Sequence, residues 1–368
     1  MQGSSSEMKL VMTLMVRDEA DIIEAMITHH QRQGVDLIVA TDNGSVDGTR
    51  EILEKYAALG FVDLRHDPLH RKQQSKVVTQ MARDAATIHG ATWVINADAD
   101  EFWMPVDRKL TLKEAFEHIP TELKSFGVHV VDMTGLPASS GSGLHRLVYR
   151  DLRSNQELAK VGMLAHSSPN AVHIADPNVE VVQGNHMVSL ESQGEPSAEF
   201  AVEVLHFPWR SWAQFEQKVR NAGKAYEENP DLMPSPNHHG MRDYRRLNEG
   251  TLPAHYLARS LTETSLQELV TSGHIIRDTV LADRLNDPIP DTDVEALAEI
   301  LPAASTTLVF QLSVAEERIN DYERRLHEAN RRFQDQSKSL EATMRDNVAL
   351  RNRRVVRLAD KVRALFRR

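Results

Sequence analysis

The sequence predicts an α/β protein: a mainly parallel sheet flanked by helices, then a helical segment and a C-terminal coiled coil. Three observations carry this reading. The first 105 residues alternate short β-rich runs with amphipathic helical stripes. Two polar clusters rich in carboxylates fall at the ends of such runs. From Leu312 onward, apolar residues recur at alternating spacings of three and four.

Residues 9–16 are an apolar run without helical period and read as a buried strand. Ile22, Ile23, Met26, Ile27 and His30 share one helical stripe, and Gly34 stands where a C-terminal cap belongs. Residues 37–41 are β-rich and 42–49 are a turn cluster. Ile52, Leu53, Tyr56 and Ala57 make a second helix face that ends at Gly60; residues 61–65 read as a third strand. Val77, Val78, Met81, Ala82, Ala85 and Ile88 make a third stripe, stopped at Gly90, before a fourth strand at 92–96. Such alternation implies right-handed βαβ units, whose ligands gather beyond the carboxyl ends of the strands.

The middle of the chain is less regular. Residues 125–133, 179–182 and 200–205 read as strands, and the Gly- and Ser-rich stretch 135–143 as a mobile loop. Trp212, Phe215, Val219, Ala222 and Tyr226 form a helical stripe. Residues 229–239 hold three prolines and break the chain; beyond 250 the pattern is helical with no clear strand. The seam from Leu312 through Ile319, Tyr322, Leu326, Phe333 and Leu340 to Leu350 spans more than five heptads, with Gln336, Thr343 and Asn347 as polar positions. The expected divisions are therefore 1–250, 251–304, 305–350 and a tail at 351–368.

Composition bounds the function. With 368 residues, 41% hydrophobic and 26% charged, the chain can bury a sizeable core. The absence of cysteine excludes disulfides, thiolate metal sites and thiol nucleophiles. No apolar run reaches 18 residues and no basic n-region opens the chain, so a cytoplasmic protein is expected. The net charge of -10 hides an asymmetry. The tail carries eight basic residues and one acid; the rest has 35 basic against 52 acidic residues. An acidic body argues against nucleic acid as partner. The tail alternates Val355, Val356, Leu358, Val362, Leu365 and Phe366 with Arg and Lys. It suits peripheral contact with an anionic membrane at its inner face, or else a solvated helix end.

Asp98-Ala99-Asp100-Glu101 is the most informative cluster. Three carboxylates in four residues repel one another and call for a cation or a donor network. Hard oxygen ligands suit Mg²⁺ or Mn²⁺, which typically take one or two carboxylates plus substrate phosphates. The plainer reading is an acidic turn that solvates a strand end.

Four strings of this chain resemble one family. They are Val16-Arg17-Asp18-Glu19-Ala20, Gly34-Val35-Asp36, Thr41-Asp42-Asn43-Gly44-Ser45-Val46-Asp47-Gly48-Thr49, and Trp93-Val94-Ile95-Asn96-Ala97-Asp98-Ala99-Asp100-Glu101-Phe102. Together they are similar to the family-2-like glycosyltransferases, in the branch with a D-N-G-S-x-D-G-T turn and a D-x-D-E-F motif. The resemblance covers roughly residues 8 to 225. It implies the GT-A fold, a nucleotide-sugar donor, a glycan or lipid-linked acceptor, and a divalent cation.

By motif position, Asp42 is expected to face the nucleotide base, with Asn43 and Asp47 fixing the turn and Arg17 and Glu19 bordering the base or ribose. Asp98 and Asp100 are expected to hold the metal and diphosphate. Many relatives have Asp-Asp-Gly-Ser where this chain has Asp42-Asn43-Gly44-Ser45, which leaves open the side chain that reads the base. Gly184-Asn185-His186 and Leu205-His206-Phe207-Pro208-Trp209-Arg210-Ser211, with Phe215 and Lys218, also resemble this branch. His206 is favoured over His186 as a third metal ligand. Arg210 and Lys218 suit the leaving diphosphate, ahead of Lys76 and Lys160.

An inverting transfer needs a carboxylate base; Glu203, Asp132 and Glu101 are the candidates, and the sequence does not choose among them. His30 reads as a core residue and His238-His239 as a surface pair. Two other function classes stay open. One is a coiled-coil scaffold retaining a nucleotide-sugar-binding fold. The other is a nucleotidyltransferase, disfavoured because no Gly-rich basic loop follows the first strand.

Overall fold

A computed structural model describes residues 7–68, 74–161, 163, 165–227, 239–285, 289–292 and 303–367. The Pro-rich break at 229–239 and the His238-His239 pair lie outside the described side chains. The chain divides into two units, residues 1–310 and 311–368.

The first unit opens with β1 (Leu10–Val16), α1 (Ile23–Arg32), β2 (Leu37–Asp42), α2 (Thr49–Ala58), β3 (Val62–His66), α3 (Gln74–Thr87) and β4 (Trp93–Ala97). These strands lie in the order β3-β2-β1-β4, all parallel. Alternation along β1 explains the layering. Leu10, Met12 and Leu14 face one core with α1 and Trp93, while Val11 faces a second core with Val78, Met81 and Ala82 of α3. Both faces are covered, so the strands read as continuous apolar runs.

β5 (Glu101–Pro105), α4 (Leu112–His118), β6 (Ser125–Thr134), β7 (Tyr149–Asp151), α5 (Asn155–Lys160), β8 (Asn170–Ile174) and β9 (Val202–His206) follow. β8 joins β4 antiparallel, and β6 and β7 extend the sheet beyond it. β5, β9 and β6 make a second ribbon, with β9 antiparallel to β5 and parallel to β6. The parallel reading thus holds for the first four strands, and the later strands add antiparallel pairs. Val181 makes only an isolated bridge to Val188 where a strand was expected.

α6 (Trp212–Glu227), α7 (His239–Asn248) and α8 (Leu252–Arg259) pack on one another around Phe215, Val219, Leu252 and Tyr256. After α9 (Glu263–Thr271) comes β10 (Ile275–Arg277), which pairs with β7. A three-residue strand carries no readable period, so the sequence pattern gave no sign of it. Leu281 and Leu285 then enter the main core.

The 135–143 loop is held rather than loose. The Ser139 N–H donates to the Thr292 carbonyl and the Ser142 N–H to that of Ile289, at 2.9 and 3.2 Å. The loop carbonyls of Ala138 and Ser139 accept the first N–H groups of α6 at 2.8 and 3.0 Å, filling donors a helix start leaves open.

The second unit lies within α10 (Ala303–Leu365), a helix of 63 residues that begins at the end of the first. Among the described residues, no helix is long and apolar enough to cross a membrane.

Candidate active site

Strand order places the site. β1 has β2 on one side and β4 on the other, so the chain direction of travel reverses there. Ligand crevices open at such a switch point. The register pairs Val16 with Asp42 and Leu14 with Ala97, so the segments after β1, β2 and β4 emerge on one edge.

The second ribbon brings more side chains to that edge. Its register sets Asp132, His206 and Glu101 in one row across β6, β9 and β5. Asp100 is 2% exposed. Its Oδ2 receives the Lys218 ammonium at 2.7 Å, with Arg210 Nη1 at 3.6 Å and His206 Nε2 at 3.7 Å. Burial works against that carboxylate, but these three cations outweigh it and hold it well below the usual range. His206 Nδ1 lies 2.8 Å from Asp132 Oδ1. Burial disfavours its charge, yet Asp100 and Asp132 raise its pKa to about 10. Lys218 rises to about 12, the Asp100 charge overriding desolvation.

Asp98 has neutral partners. Gln74 Nε2 and Asn185 Nδ2 donate to its Oδ1 at 3.1 and 3.2 Å. Burial, then the Asp100 charge, raises its pKa. Glu101 accepts the Asp98 N–H at 3.1 Å and Asn170 Nδ2 at 2.7 Å. Burial and the Asp98 charge push it up to about 8. Asn170 also offers its Oδ1 to His186 Nδ1 at 3.2 Å. That ring is held by a turn with Gly184 at φ +86° and Asn185 at φ +63°. A Cβ on Gly184 would stand 3.0 Å from the His186 ring.

Arg210 is fully buried. Its guanidinium forks onto Asp21, with Nε 2.8 Å from Oδ2 and Nη2 3.0 Å from Oδ1, and Nη2 also donates to Glu19. Burial raises the Glu19 pKa to about 7, against the pull of Arg210. The Glu19 side chain thus joins Arg210, while its N–H donates at 2.8 Å to Thr49 Oγ1 at the end of the second-strand turn. Arg210 is shielded from solvent with its Nη1 3.6 Å from Asp100, whereas the Lys218 side chain is half-exposed.

The D-N-G-S turn forms a neighbouring cluster. Asp42, 1% exposed, accepts the Ser45 N–H at 3.0 Å and lies 3.1 Å from His66 Nδ1. Arg17 donates to the Asn43 carbonyl at 2.6 Å, and Asn43 donates to that of Asp67 at 2.9 Å. Asp47 fixes the turn by accepting from Thr49 and from the Ala20 N–H.

Of the three base candidates, Glu101 and Asp132 sit in the row with His206. Asp132 accepts from Ser167 Oγ at 2.7 Å and lies 3.2 Å from His166 Nδ1. Although burial opposes it, these partners and His206 keep its carboxyl far below the ordinary range. Glu203 does not join the row. Three residues before His206 on a strand, it faces the other way. There Arg150 grips both oxygens at 2.8 and 2.7 Å and Arg108 adds a third bond. Among the described residues, Lys76 and Lys160 make no hydrogen bond or ion pair with the cluster.

The donor set fits a hard divalent cation in its chemistry. Burial, and then the neighbouring carboxylates, raise the pKa values of Asp98 and Glu101, and a cation beside them would offset both. Among the described residues, no three His, Asp or Glu side chains form a ready cage. A cation there would take carboxylates from Asp98 and Asp100 and complete its shell elsewhere, as Mg²⁺ does with phosphates.

A sequence model described as glycosyltransferase family 92 matches residues 11–133, which run from β1 through β6. No curated protein matches this chain. Among solved structures, S. aureus TarS is 16% identical and aligns over 68% of this chain and 71% of its own, at TM-score 0.33. TarS is also solved in complex with UDP, at 15% identity, 68% and 72% coverage and TM-score 0.33. Glucosyl-3-phosphoglycerate synthase from Mycobacterium tuberculosis, in complex with Mn²⁺ and UDP, is 16% identical. It aligns over 46% of this chain and 57% of its own, at TM-score 0.26. At these scores the two likenesses carry no argument about the site.

Proposed function

We propose that this chain is a glycosyltransferase that moves a sugar from a nucleotide-sugar donor to a hydroxyl acceptor, with a divalent cation and with inversion. The observation that carries it is the Asp98–Asp100–Glu101 cluster at the switch point, faced by Lys218. The match to glycosyltransferase family 92 over the same strands supports it.

The nucleotide would lie over the second-strand turn, with Asp42 and Arg17 bordering the base. Asp98 and Asp100 would hold Mn²⁺ or Mg²⁺, with His206 as the nearest imidazole. The cation would act as a Lewis acid toward the departing diphosphate. Lys218 supplies a second positive charge where negative charge develops. Arg210 braces Asp100 from behind.

For the acceptor proton, the geometry favours His186 over the three carboxylates. Its Nδ1 lies 3.2 Å from Asn170 Oδ1 and its ring is exposed, so Nε2 is the atom proposed to take the acceptor proton. The acceptor is proposed to be a glycan or lipid-linked hydroxyl, consistent with peripheral membrane contact through the basic tail. The seam of α10 is proposed to associate copies of the chain.

Thermal stabilisation across UDP-, GDP-, CMP- and dTDP-sugars, with and without Mn²⁺, tests the donor. A ligand at a hundred times its Kd adds about 2.7 kcal/mol. The expected result is a metal-dependent shift with one nucleotide, abolished in Asp98→Ala and Asp100→Ala, and release of nucleoside diphosphate on turnover. Release of pyrophosphate would instead identify a nucleotidyltransferase. No shift and no release would leave a scaffold.

A further inference from the structure

We propose that α10 pairs with α10 of a second copy as a parallel, in-register, two-stranded coiled coil. This deepens the association proposed above and is independent of the catalytic reading.

The occupant follows from the pattern. Leu312, Ile319, Tyr322, Leu326, Phe333 and Leu340 are each more than half exposed on the helix. Their repeat is seven residues. A straight helix lets such a stripe drift by about 20° per heptad, whereas a helix supercoiled with another keeps it inward. A flat surface would want a period of 3.6 instead. In heptad terms Leu312, Ile319, Leu326, Phe333, Leu340 and Asn347 take one core position, a. Ala315, Tyr322, Ala329, Gln336, Thr343 and Leu350 take the other, d.

The polar rungs set direction and register. In a parallel in-register pair every rung meets itself, so Gln336, Thr343 and Asn347 each face a like side chain that can hydrogen-bond across the seam. Fully overlapped antiparallel helices would set Asn347 against Ala315, Thr343 against Ile319 and Gln336 against Leu326. Each polar group would then lie in an apolar layer without a partner, which is costly. A parallel slip of one heptad makes a similar mismatch, with Asn347 against Leu340. Charge agrees. Arg318 flanks the seam on one side and Glu323 on the other. In the parallel register Arg318 faces Glu323 of the second copy, twice by symmetry. Neither makes an ion pair among the described residues, whereas Arg325 is taken by Asp321 at 2.8 Å. The small d residues Ala315 and Ala329 leave a core that two helices close and three would leave hollow.

The chain has no cysteine, which makes the test clean. The mass of the full chain in solution is expected to be twice 41.5 kDa. Thr343→Cys is then expected to cross-link to itself under oxidation, since facing d residues lie within disulfide reach. Leu326→Asp is expected to give single chains whose first unit unfolds at the same urea midpoint as in the unaltered protein. A single-chain mass for the unaltered protein would overturn both the association and its geometry. A trimer or tetramer would overturn the two-stranded form. A dimer in which Thr343→Cys cross-links only to an Ile319→Cys copy would overturn the parallel arrangement alone.

Discussion

Arg210 has no exposed atom, and this decides what its loss would do. It ties Asp21 and Glu19 beneath Asp100, so its removal leaves these two partly buried carboxylates without their cation, at about 3 kcal/mol. Arg210→Ala is therefore expected to lower the midpoint of a urea melt as well as the rate. Lys218→Ala, on a half-exposed side chain, is expected to leave the melt near its original midpoint. It should cut nucleoside diphosphate release by roughly 10²–10³-fold. Glu203→Gln makes the opposite case. Held by Arg150 and Arg108 away from the row, it is expected to cost stability while kcat stays within a few-fold. A collapse of kcat at unchanged stability would restore Glu203 as the base. The charged part of this site was legible because clustered carboxylates, and basic residues at motif spacing, demand a physical reason. Gln74, Asn170 and Asp21 were not, and Asn185 stood out only as part of the Gly184-Asn185-His186 string. Neutral amides carry no such demand, and Asn185 reaches Asp98 across 87 residues of sequence. Glu203 was proposed from its distance along the chain, which says nothing of the strand face it occupies.

At the scale of elements, the alternation of the first 105 residues made β1 to β4 readable, because each strand is buried on both faces and each helix has one apolar stripe. What escaped was the tie between distant segments. A Gly- and Ser-rich stretch reads as mobile until its hydrogen-bond partners at 289–292 are known. Gly143 lets that loop run against the Arg210 backbone, where an added Cβ would stand 3.3 Å from its Cα and carbonyl oxygen. Gly141 sits at φ +112°, and a Cβ there would stand 2.5 Å from Asp291. Gly141→Ala is expected to cost more than about 1 kcal/mol and to loosen the start of α6. Thermal denaturation reads the first, and a fall in Lys218-dependent turnover the second. β10 and the loop partners also show why a chain cut near residue 250 should fold less stably than one extending past 292.

For the molecule as a whole, pH acts through groups that burial has displaced in opposite directions. His29 and His173 are buried and neutral, desolvation lowering each to about 4. In the unfolded chain they take up protons near 6.5, so their contribution is intact above that value and is lost as pH falls through 4. Urea melts at pH 7, 5.5 and 4.5 should show this progressive loss. Glu19 and Glu101 run the other way. With pKa values raised to about 7 and 8, their contribution is present below about 4.5 and is lost as pH rises through those values. Mn²⁺, by replacing the protons the site holds, is expected to remove that alkaline loss. The length of α10 has a consequence of another kind. At 1.5 Å per residue its 63 residues span roughly 95 Å. With the basic tail fixed to a surface, the helix becomes a ruler, limiting how far its first residue can stand from that surface. Deleting whole heptads would keep the seam and the tail but shorten the ruler. The longest surface-anchored acceptor still glycosylated should then shorten in step.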